Sequence, residues 1–197
     1  YHNTLGTILR GVREFESAVQ FFTRAVRLRT DYRDARNNLA LALCDMKRFS
    51  DAETVLRDSL ADKPDDPVLL TGMGRLRLLT DETKAAVVCF HDALKVAPDH
   101  VDALNNLGVA FNLLNDLDGA RASFARALAL NPSHVDAHYN YAQLLLLLGD
   151  YAEAWPHFEW RLQRPDYRRK FSTPMWRGEA LAGETVLVWC EQGLGDA

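Results

Sequence analysis

The chain is expected to be all-α: a solenoid of about five stacked helix pairs, followed by a short irregular extension with one candidate β-strand. Two observations predict this. Alanine recurs every 34 residues, at Ala18, Ala52, Ala86, Ala120 and Ala154. The same frame returns around each of them. A small residue stands twelve positions earlier (Gly6, Ala40, Gly74, Gly108, Ala142) and a large apolar one four positions later (Phe22, Leu56, Phe90, Phe124, Phe158). With apolar residues at i, i+3/i+4 and i+7, each unit reads as two amphipathic helices. One such pair cannot bury its own apolar face, so neighbours must stack.

Registered on this frame, the units are 1–32 (lacking its first two positions), 33–66, 67–100, 101–134 and 135–168, with 169–197 set apart. In each first helix a bulky residue precedes the small one: Leu5, Leu39, Met73, Leu107 and Tyr141. The small residues at positions 8 and 20 should lie where the two helices cross, since a large side chain there would force them apart. Turns are expected at Asn115-Asp116, at Gly149-Asp150 and around Pro98-Asp99, with Asp or Asn capping the next helix. Pro64, Pro98 and Pro132 close their units. Arg77 takes an apolar place in the third unit and is expected to loosen it. In the fifth unit Arg161 stands where Ala93 and Ala127 stood, and Pro156 interrupts the second helix. That unit should be a modified last repeat, packed against something other than another repeat.

After Arg168-Arg169-Lys170 the period is lost. Pro174, Trp176, Gly178 and Gly183 oppose a helix, and Thr185–Cys190 is a β-branched and apolar run suited to a strand buried on both faces. It leads into Gly193-Leu194-Gly195-Asp196, as a Rossmann-like sheet begins, so Gly193, Gly195 and Asp196 are candidates for the substrate loop of a truncated domain. Residues 171–197 are expected to cap the last repeat through Trp176 and Trp189.

Composition narrows the function. A formal charge of −4 argues against nucleic-acid binding through a general basic surface. The longest uncharged apolar stretch, near Tyr139–Gly149, is about half a membrane span. Three widely spaced cysteines, Cys44, Cys89 and Cys190, suggest neither a disulfide framework nor a zinc site, and a reducing, cytoplasmic setting is expected. The chain starts at Tyr1 without a charged-then-apolar leader and stops at Ala197, so both ends are expected to be cuts in a longer protein.

The repeat resembles the tetratricopeptide repeat over about 85% of the chain. The best-matched unit is 101–134, with Leu107-Gly108, Phe111, Ala120, Phe124, Ala127 and Pro132. The resemblance implies a right-handed superhelix of antiparallel helix pairs whose first helices line a concave groove. Function would then lie at positions 2, 5, 6, 9, 12 and 13 of each unit. The groove candidates are Asn3, Asn37 and Asn105 at position 5, Asn38, Asn106 and Asn140 at position 6, and Asp34, Asp102 and Asp136 at position 2. An amide carries two donor hydrogens and an acceptor, so a file of asparagines suits an extended peptide backbone. The file is broken at Gly72. Asp at position 2 would add selectivity for Lys, Arg or hydroxyl groups on the ligand. Relatives that clamp chaperone C-terminal carboxylates carry Lys or Arg at positions 2, 5 and 6, where this chain has Asp and Asn, the wrong sign for a carboxylate ligand.

Other groups are weaker candidates. His134 and His138 are spaced i,i+4 as metal ligands could be, but no third ligand is evident. Cys44 faces the groove by register, and neither it nor Cys89 has a neighbouring base to activate it. No cofactor, metal or catalytic residue is expected.

The segments around Trp155, Glu159-Trp160-Arg161, Pro174, Trp176, Gly178, Leu181-Ala182-Gly183 and Glu191–Asp196 resemble bacterial proteins that fuse such repeats to a glycosyltransferase-like domain of the two-Rossmann type. That likeness implies a repeat arm presenting acceptor protein. Eukaryotic sugar transferases that modify Ser and Thr use an asparagine-lined repeat groove similar to Asn38, Asn106 and Asn140. The leading expectation is a protein-interaction module that binds an extended peptide or a partner protein and has no catalysis of its own. One alternative is the acceptor arm of a bacterial protein glycosyltransferase. Another is a homo-oligomeric scaffold joined through the open repeat end at Leu5, Ile8, Leu9 and Phe22.

Overall fold

The computed structural model describes residues 1–30 and 32–164. Among them are ten α-helices and no strand. They are α1 (His2–Gly11), α2 (Phe15–Leu28), α3 (Arg33–Asp45), α4 (Phe49–Asp62), α5 (Pro67–Leu79), α6 (Thr83–Val96), α7 (Val101–Leu113), α8 (Leu117–Leu130), α9 (Val135–Leu148) and α10 (Tyr151–Phe158). A 3-10 segment, Glu159–Gln163, follows. The candidate strand 185–190 and the capping residues Trp176 and Trp189 lie outside the described residues.

Each helix packs on the next in sequence, and the odd helices also pack on one another, α1 on α3, α3 on α5, α5 on α7 and α7 on α9. The odd helices therefore form a continuous inner layer, with the even ones outside it. That is the expected solenoid.

The small residues explain how closely the layers approach. Ala18, Ala52, Ala86, Ala120 and Ala154 are all fully buried. Gly6 and Gly108 lie beneath the rings of Phe22 and Phe124, so close that an added Cβ would stand 2.6 Å from a ring carbon in each case. The unit with alanine in the glycine's place and an intact second helix carries Leu56 where these carry phenylalanine. Crossing residue and facing side chain trade volume. The core is accordingly a string of small clusters, one running from α2 to α5 and others tying α6 to α10.

The turn inside each unit repeats as well. Arg13, Lys47, Asp81 and Asn115 have φ between 58° and 67°, and Gly149 has φ 82°. The residue after each donates its backbone N–H back to the last turn of the helix, as Glu14 does to Leu9 and Asp116 to Phe111, both at 2.9 Å. This double closure satisfies the orphan carbonyls at a helix end. The turns expected at Asn115-Asp116 and Gly149-Asp150 are therefore present.

Between units, position 34 supplies the cap. Asp66 accepts from the N–H groups of Val68 and Leu69 at 3.0 and 3.3 Å, and the Nδ1 atoms of His100 and His134 accept from Ala103 and Ala137 at 3.4 and 3.0 Å. The recurrence of histidine at 100 and 134 is thus a capping feature. His134 also bonds Asp102 through Nε2 at 3.1 Å, which leaves neither ring nitrogen for a metal.

Arg77 does not simply loosen its unit. Its guanidinium bridges Glu53 of α4 at 2.7 Å and Glu82 at 2.9 Å, tying the third unit to the second. In the last unit Pro156 lies two residues before the end of an eight-residue α10, where the other even helices have fourteen. Phe158 consequently does not enter the core as Phe124 does. It stacks on Tyr139 at 6.0 Å and carries the Arg161 guanidinium 4.4 Å above its ring.

The 3-10 segment lies on α9, where Trp160 stacks on His138 at 4.1 Å. His138 and His157 face each other Nδ1 to Nδ1 at 2.6 Å, a contact that needs one donor and one acceptor. Burial and the neighbouring His138 hold His157 below the ordinary histidine range. Its protonation therefore favours the unfolded chain, and stability is lost as pH falls through about 6.5. His134 is pulled the other way, its proton affinity raised by the bond to Asp102, but the second proton would have to enter at the Nδ1 that accepts from Ala137.

Candidate functional site

On a helix, residues at i, i+4, i+7 and i+11 share one face. Repeat positions 2, 6, 9 and 13 have this spacing, and on the inner helices they turn away from the even layer. They are Asp34, Asn38, Leu41 and Asp45 on α3, and Val68, Gly72, Arg75 and Leu79 on α5. On α7 they are Asp102, Asn106, Val109 and Leu113, and on α9 Asp136, Asn140, Gln143 and Leu147. Apart from Leu41 and Gly72, which are buried, these residues are partly or well exposed. The face is the candidate groove.

The asparagines are tied to one another along it. Asn38 Nδ2 donates to Asn3 Oδ1 at 3.1 Å, and Asn140 Nδ2 donates to Asn105 Oδ1 at 3.0 Å, in each case position 6 of one unit reaching position 5 of the unit before. Asn3 also donates to the Tyr32 hydroxyl at 3.3 Å. Asn106 turns back onto its own helix, donating to the Asp102 carbonyl at 2.7 Å. The break at Gly72 has a steric cause. Asn37 Oδ1 occupies the space that a side chain at 72 would need, and it has no hydrogen-bond partner there.

The carboxylates of the face are engaged within the protein too. Asp34 lies 3.5 Å from Arg33, Asp45 is 2.5 Å from Arg10, Asp102 bonds His134, and Asp136 is 3.7 Å from Arg164. The His134 hydrogen bond, partly offset by burial, holds Asp102 below the usual carboxylate range. Position 9 differs. Arg75 is half-buried on the middle inner helix and has no hydrogen bond or ion pair with any described residue. Burial, and next the like charge of Arg10, lower its affinity for its proton. Position 13 differs again, with Leu79, Leu113 and Leu147 54, 62 and 65% exposed at 34-residue intervals.

Both features were present in the sequence as groove positions, but a reading centred on positions 2, 5 and 6 passes over them. Cys44, placed in the groove by register, instead lies in the core, where burial pushes its thiol up to about 11. Among the described residues no three His, Cys, Asp or Glu side chains gather as a metal site. Gly193, Gly195 and Asp196 lie outside the described residues.

Two family models, each described as tetratricopeptide repeat, match residues 9–76 and, in two overlapping stretches, 72–133 and 114–159. The chain is similar to the Protein O-mannosyl-transferase Tmtc3 of Drosophila melanogaster, at 42% identity over 60 residues, or 30% of this chain and 6% of that protein. The match thus spans a small part of the length of that relative. Among solved structures, TTC0263 of Thermus thermophilus, a thermophilic TPR protein, superposes with a TM-score of 0.73 at 21% identity, over 83% of this chain and 89% of that one. YrrB, described as a TPR protein with an unusual peptide-binding site, superposes with a TM-score of 0.52 at 18% identity, over 82% and 84%. At these identities the structural likeness establishes the fold alone.

Proposed function

This chain belongs to the tetratricopeptide-repeat family, and from that premise we propose that it is a protein-interaction module binding an extended peptide, or an extended segment of a partner protein, along its inner helices. The observation that carries the reading is the position-6 register. Asn38 and Asn140 each use one donor hydrogen to link neighbouring units. Each amide keeps another hydrogen and its carbonyl, so the same side chains that link neighbouring inner helices can hold a backbone. The peptide-binding site ascribed to YrrB supports the reading by fold analogy.

In the test, the triple variant Asn38→Ala/Asn106→Ala/Asn140→Ala is compared with the parent on a peptide array, with circular dichroism as the control. Loss of bound peptides at unchanged helicity is the expected result. Equal binding by the variant would remove the asparagines from the site. A second reading makes the module the acceptor-presenting arm of a protein glycosyltransferase, and the likeness to an O-mannosyl-transferase favours it. Preferential capture of Ser/Thr-rich peptides on the same array would support that arm, and indifference to Ser and Thr would count against it.

A further inference from the structure

We propose that the groove takes a partner segment carrying an internal Asp or Glu beside apolar side chains at about every third residue, with Arg75 receiving the carboxylate and Leu79, Leu113 and Leu147 receiving the apolar groups. This inference rests on the groove reading above and names its ligand. The groove positions 2, 5, 6, 9, 12 and 13 hold two cations, Arg10 and Arg75. Arg10 is neutralised by Asp45 at 2.5 Å. The acids whose fields reach Arg75 are Asp45 and Asp102, and both are taken, by Arg10 and by His134 at 3.1 Å. What is left over on this face is one guanidinium, held among α1, α3 and α7 neighbours and lacking a partner among the described residues.

A half-buried guanidinium presents a planar fork of donors that matches a carboxylate bidentately, and the match strengthens as a ligand displaces water. The charge order thereby favours an acidic ligand, although the chain as a whole carries −4. Arg75 sits on the third of five inner helices, so a bound chain runs past it in both directions, which suits an internal side chain better than a C-terminal carboxylate.

The apolar half of the ligand follows from position 13. Leu79 lies one turn beyond Arg75 on the same helix, and Leu113 and Leu147 continue its file along the next two inner helices. Packed helices stand about 8–10 Å apart. An extended chain in the polyproline II form advances about 3.1 Å per residue with three residues per turn, so every third side chain returns to the same face and meets the next leucine.

The test selects phage-displayed random dodecapeptides, fused to the coat protein at their C-termini, on the intact chain. Selected sequences are then synthesised with amidated ends and titrated against Arg75→Gln, Leu113→Ser and the parent, with thermal melts to verify that each variant is folded. Selected peptides should share an Asp or Glu with apolar residues at three-residue spacing. Arg75→Gln should weaken them tenfold or more, and Leu113→Ser severalfold. Peptides without a shared acid, or binding to Arg75→Gln within twofold of the parent, would overturn this inference while the groove reading stands. Failure to select any peptide would overturn both. Selection only from a companion library with free C-termini would transfer the site to a terminal carboxylate and likewise refute the internal acid.

Discussion

Phe124→Ala should lower the stability of the array by about 3–5 kcal/mol, the range for removing a fully buried aromatic ring. The ring is 1% exposed, stands against Gly108 and lies 6.2 Å from the ring of Tyr141, so its loss opens a void between the fourth and fifth units. Relief by collapse is limited, because Gly108 offers no side chain to move into the space. In a solenoid each unit is held by its neighbours, so the damage should appear first as early exchange of the amides of α7 to α9. Urea denaturation with hydrogen exchange checks both parts. A loss under about 1.5 kcal/mol, or exchange that rises uniformly along the chain, would contradict the account.

Overfilling the same crossing should cost less, but it should be repairable. Gly108→Ala puts a methyl group 2.6 Å from a Phe124 ring carbon, and overpacking of this kind costs about 1–3 kcal/mol. Phe124→Leu alone should cost about 1–2 kcal/mol through the void it leaves. Combined, the two copy the pairing of Ala40 with Leu56, both fully buried in the second unit. The double variant should be at least about 1 kcal/mol more stable than the sum of the single losses implies, a coupling expected for residues in contact. Simple additivity would mean that the volume exchange between crossing positions is coincidental.

These two expectations show how the sequence is legible. The 34-residue recurrence of small and large apolar residues contains the helix pairs, the crossings and the inner layer, because steric exclusion at a crossing acts on side-chain volume alone. The groove was legible only as a set of positions. That Asn38 would reach back to Asn3, or that Asn37 would fill the space over Gly72, depends on rotamers chosen among neighbours from different units. Composition likewise marks Arg77 as an intruder without showing Glu53 and Glu82 on either side of it.

The sequence by itself determined the all-helical repeat, the place of each crossing and the altered last unit, since these follow from periodicity, side-chain size and the missing N–H of Pro156. The tertiary structure alone decided which groove groups remain available. A charge is satisfied or left over according to which side chains come within a few ångströms of it, and the partners here come from other helices: Arg10 for Asp45, His134 for Asp102, and none among the described residues for Arg75.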